Sequence, residues 1–174
     1  MGAIPVECIA FFSAEGPPMD WLSIPVVLKV LNWARARLGL NREHDCTIFR
    51  KLDDIANESK IDHILNVRIY KSDLRSDDVY LIENFIAALQ RIENQYIDST
   101  LQLRATELLW ELDQLMSHVT KTFFSVGGNR LQFYPSPIDK DVYDAEWKEL
   151  NEHLEKTWDA YGTYRIAVKD RLMV

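Results

Sequence analysis

Two runs of apolar residues at helical spacing, joined by almost nothing, constrain this chain most. After Ser76 come Val79, Ile82, Phe85, Ile86, Leu89 and Ile92, and after Ser99 come Leu101, Ala105, Leu108, Leu112, Leu115 and Val119, with "YIDST" in the short stretch where one run gives way to the other. Residues three and four apart share one face of a helix, so each run predicts an amphipathic helix with a single apolar stripe. A connection this short returns the second helix along the first, which predicts an antiparallel αα-hairpin. Ser99 with Gln102 three positions on reads as a capping box.

The remaining segments extend the pattern. Val26, Val27, Val30, Leu31, Ala34 and Leu38 recur at helical spacing after Pro25, predicting a first helix that stops at Gly39. Asn41 then caps a second helix with the stripe Ile48, Phe49, Leu52 and Ile55, ending near Glu58. Ser59 with Asp62 opens a short third helix in "KIDHILNV", while "VRIYK" (67–71) fits either helix or an extended segment. "SVGGNRLQFYPSP" reads as an interhelical loop, because Gly127 and Gly128 permit positive φ and Pro135 and Pro137 stop a helix. A last helix from about Asp141 carries Trp147, Leu150, Leu154, Trp158, Tyr161 and Val168 on one face. Such stripes bury only on one another. The expected fold is therefore all-α, a single-domain bundle of five to six helices over residues 21–174 around the central hairpin. An irregular N-terminal arm is expected over residues 1–20, where "EGPP" breaks any regular element.

Charge and composition narrow the function. A net charge of −7 disfavours binding to nucleic acid phosphates, so no nucleic-acid partner is expected. Two cysteines, Cys8 and Cys46, make neither a disulfide framework nor a zinc motif and read as free thiols of a reducing, cytoplasmic protein. "MGAIPVECIAFF" lacks a basic start and is interrupted by Glu7, so it is not read as a signal peptide, and no run reaches the roughly 18 apolar residues of a membrane span. Phosphate-binding loops, zinc spacings and nucleophile elbows are missing, and no cofactor is expected. Among the histidines, His153 shares a helical face with Glu149, and His118 with Glu111. Bundle di-metal sites instead place Glu three residues before His, twice. These residues are read as a solvated polar face, with no metal.

The stretch Trp21–Arg42 has its own character. Lys29, Arg35, Arg37 and Arg42 give it +4 with no acidic residue, leaving −11 on the rest of the chain. With Trp33 inside it, the segment is read as a surface for an acidic protein partner, carried by Lys29, Trp33, Arg35 and Arg42. The expected function is protein–protein contact by a small cytoplasmic adaptor, regulator or inhibitor. An alternative is a helical ribonuclease-type domain in which Arg37 stabilises phosphate charge and His44 serves as general acid and base. Leu38 between them, and the helix end expected at Gly39, count against it. A third reading lays the basic amphipathic helix 21–42 on a membrane surface.

Overall fold

The computed structural model describes residues 24–134 and 138–174, and before residue 39 the side chains at positions 33, 34 and 37. The arm expected over residues 1–20 lies outside the described residues. In chain order come α1 (Ile24–Ile55), α2 (Glu58–His63) running into a π-helical turn (Ile64–Ile69), β1 (Leu74–Arg75), α3 (Ser76–Gln90), a 3-10 turn (Ile92–Asn94), α4 (Ser99–Thr122), β2 (Phe123–Gly127), β3 (Arg130–Phe133) and α5 (Lys140–Leu172). The chain divides into two units, one ending at Gly39 and one running Leu40–Val174. The described residues are thus mostly helical, as the periodicity requires, with five α-helices and one small sheet.

The predicted hairpin is α3 and α4, which pack on each other, and α4 also packs along α5. Leu101, Leu108, Leu112 and Leu115 of α4 are at most 1% exposed and share one buried cluster with Ile82 and Phe85 of α3, Leu150 and Tyr164 of α5, and Ile48 and Leu52 of α1. The cap of α4 sits one residue earlier than the capping box predicts. Asp98 Oδ1 accepts from the backbone N–H groups of Thr100 (2.8 Å) and Leu101 (3.1 Å), while Gln102 Oε1 accepts from Tyr96 N–H at 2.8 Å. A carboxylate at this position satisfies the same orphan donors as a serine and also meets the positive end of the helix dipole.

Four other expectations are corrected. The first and second predicted helices are one, because α1 passes through Gly39 and Asn41 to Ile55. A lone interior glycine costs a helix only about 1 kcal/mol, too little to break it. Second, the cap of α2 is Asn57 rather than Ser59, its side chain accepting from Lys60 N–H at 3.0 Å; of the two states left open for 67–71, residues 67–69 take the helical one. Third, the loop expected at "SVGGNRLQF" is a β-hairpin. β3 is the central strand of an antiparallel sheet ordered β1-β3-β2, with Phe123 opposite Phe133 and Leu74 opposite Leu131. Gly128, at φ +61°, and Asn129 make the turn, and Gly127, at φ +116°, ends β2 opposite Arg130 where the register shifts. Fourth, Trp158 stands 37% exposed, and Thr157 is buried in its place with its hydroxyl donating to the Glu111 carbonyl at 3.2 Å.

The buried tyrosines give a first prediction. Tyr96 and Tyr164 hydroxyls meet at 2.6 Å inside the core, and burial pushes the phenols of Tyr96, Tyr161 and Tyr164 well above the ordinary 10. A phenol whose pKa is raised by folding stabilises the fold in full below the unfolded value of about 10 and loses that contribution as pH rises beyond it. Alkaline titration is therefore expected to ionise these three only as helicity is lost, so the late tyrosinate absorbance and the loss of far-ultraviolet dichroism coincide. Ionisation of all seven tyrosines with helicity intact would contradict it.

Candidate functional site

Two places carry residues with chemical potential: the helix segment read as a partner surface, and a histidine cluster between α4 and α5.

On α1, Trp33 is 59% exposed and Arg37 is exposed one turn on. Helical spacing puts positions 29, 33 and 37 on one face. The side chains of Lys29 and Arg35 lie outside the described residues. Arg42 has a structural occupation, since its Nε and Nη2 donate to the Leu172 carbonyl at 3.2 and 2.6 Å, covering the C-terminal end of α5 where carbonyls lack helical partners. His44 is exposed, with Nε2 3.4 Å from the Gln95 carbonyl oxygen. Among the described residues no hydrogen bond or ion pair engages Arg37.

The second place was missed by the sequence reading. His118 of α4 is 5% exposed, so the solvated face predicted for it does not hold. Its neighbours are also not the predicted Glu111. Its Nε2 lies 3.6 Å from Glu146 Oε2 and its Nδ1 3.8 Å from Glu149 Oε1, both on α5. His153, one turn after Glu149, brings its Nε2 within 3.7 Å of the same Oε1, and the two imidazole rings are 5.5 Å apart, centre to centre. Both histidines keep a buried ring nitrogen without a hydrogen-bond partner, Nε2 of His118 and Nδ1 of His153. Beside them Ala145, Lys148, Glu149, Glu152, His153 and Lys156 line an open hollow of about 470 Å³. The antiparallel run of α4 against α5 creates this cluster. Sequence spacing within one helix pairs Glu149 with His153 but cannot supply His118.

A third buried ionisable group is structural. Asp45 of α1 is 1% exposed, and its two carboxylate oxygens accept from Ile97 N–H (2.7 Å) and Asp98 N–H (2.9 Å), clamping α1 to the start of α4.

No family model, curated protein or solved structure matches this chain.

Proposed function

We propose that the protein works by contact with an acidic surface of another protein, through the basic aromatic face of α1 centred on Trp33. The observation that carries this reading is the exposure of Trp33, 59% open to solvent within a stretch of +4 and no acidic residue. An exposed tryptophan with an exposed arginine one helical turn on has the make-up of an interface anchor, in which the ring supplies apolar area and the cation supplies orientation and rate. The contact is centred on Trp33 and Arg37, with position 29 on the same helical face; position 35, two residues from Trp33, falls on another side of the helix and adds only to the charge of the stretch. Arg42, also read from the sequence as part of the surface, is held by the end of α5 and is left out of the contact.

The test pairs two variants of the full chain, each first checked for an unchanged melting midpoint. Trp33→Ala is expected to weaken binding to the partner isolated on wild-type protein by about 10-fold or more, as removal of an anchor does. Reversing Lys29, Arg35 and Arg37 to Glu is expected to slow association, most at low salt. Binding unaffected by both sinks the proposal. Loss of binding to anionic vesicles, with protein binding intact, transfers the face to the membrane reading. RNA cleavage by the wild type that disappears in an Arg37/His44 double variant supports the ribonuclease reading instead.

A further inference from the structure

We infer that His118, Glu149 and His153 bind a Zn²⁺ ion, with Glu146 orienting His118. The three side chains present one ligand atom each, all within 4.8 Å of one another. Glu149 Oε1 stands 3.8 Å from His118 Nδ1 and 3.7 Å from His153 Nε2. Ligands around a tetrahedral zinc at ~2.1 Å lie about 3.4 Å apart, so these two edges close with shifts of a few tenths of an ångström. Two imidazoles and one carboxylate are the donor set of a late first-row divalent ion. Magnesium and calcium sites are built from oxygen.

The nitrogens offered to the ion are the two that lie near Glu149 Oε1, Nδ1 of His118 and Nε2 of His153; the partnerless nitrogens, Nε2 of His118 and Nδ1 of His153, are the other atoms of the two rings and are not ligands. On His118 the two nitrogens have different neighbours: Nε2 lies 3.6 Å from Glu146 Oε2 and Nδ1 lies 3.8 Å from Glu149 Oε1, so a proton on Nε2 would leave Nδ1 for the ion. A carboxylate behind a metal-bound histidine fixes tautomer and ring orientation in this way. His118 is almost wholly buried, so its ring is held by packing before any ion arrives. His153 offers Nε2 to the same centre; its buried Nδ1 has no counterpart to Glu146.

Three protein ligands leave the fourth tetrahedral position to water or another small ligand. Beside Glu149 and His153 the open hollow is lined by Lys148, Glu152 and Lys156, with Lys148 Nζ 3.8 Å from Glu152 Oε1, so its charges are balanced. The site is independent of the Trp33 face, and its test does not depend on a partner.

The experiment titrates Zn²⁺ into the full chain with any purification tag removed, by calorimetry, and repeats the titration with Co²⁺ read by visible absorption. One equivalent is expected, with the intense absorption of four-coordinate cobalt. The melting midpoint should rise by ~5–10 °C when free Zn²⁺ reaches a hundred times Kd. His153→Ala and Glu149→Gln, both at positions less buried than His118, should abolish saturable binding, and Glu146→Gln should weaken it about 10–100-fold while keeping one equivalent. His63→Ala, outside the cluster, should leave it unchanged. The inference is overturned by the absence of saturable binding, by binding that survives His153→Ala and Glu149→Gln, or by the weak absorption of six-coordinate cobalt. Undiminished affinity in Glu146→Gln removes the orienting role of that residue.

Discussion

Leu112→Ala is expected to lower the free energy of unfolding by roughly 2–5 kcal/mol, measured by urea or thermal denaturation. Leu112 is 1% exposed and lies midway along α4, in the cluster that gathers the faces of α1, α3, α4 and α5. Its truncation forfeits the transfer of three carbons from water and leaves a cavity that helices on several sides cannot all close at once. Trp158→Ala is the control. Trp158 is larger, but 37% exposed, its ring 6.2 Å from that of Tyr161, so its loss is expected to cost less than that of Leu112. The reverse order of the two would place the core on the other face of α5.

Asp45→Ala is expected to cost about 3 kcal/mol, an effect that no burial of apolar area explains. The substitution removes two charge-assisted hydrogen bonds and strands the N–H groups of Ile97 and Asp98 against an apolar side chain. These groups immediately precede the first turn of α4, where the helix dipole adds to their preference for an anion. Asp45→Asn should recover only part of the loss, because its amide retains one acceptor and turns a donor toward the second N–H. Denaturation midpoints of the three proteins order wild type above Asn above Ala. Equal stability of wild type and Asp45→Ala would mean that α1 is held to α4 by packing alone.

What the sequence disclosed and what it hid follow from how far each interaction reaches along the chain. The α3–α4 pair was legible because a 3.6-residue period and a short connection are local properties, and so was the length of α5. The β-hairpin was not. Its glycines read as breakers, and the strand that completes the sheet, Leu74–Arg75, is separated from its partners Leu131 and Arg130 by more than fifty residues. Thr157 displaced Trp158 from the core through a bond to a carbonyl of α4, which no apolar pattern on α5 announces. The histidine cluster failed for the same reason. Glu149 and His153 are one turn apart and visible together, whereas His118 joins them only once α4 lies against α5. Asp45, likewise, looks like a surface carboxylate at the start of a helix until α4 presents two N–H groups to it. The basic stretch was visible as composition, and the structure adds that Trp33 stands in solvent while Arg42 has other work.

The most direct test of the contact proposal places a photo-reactive amino acid at position 33 of the full chain and, in a second protein, at position 166, where Ile166 is comparably exposed at 61%. Irradiation in native extract is expected to give one protein adduct from position 33, absent from position 166 and lost when Lys29, Arg35 and Arg37 are changed to Glu. The same adducts from both positions, or none from position 33, would contradict the account.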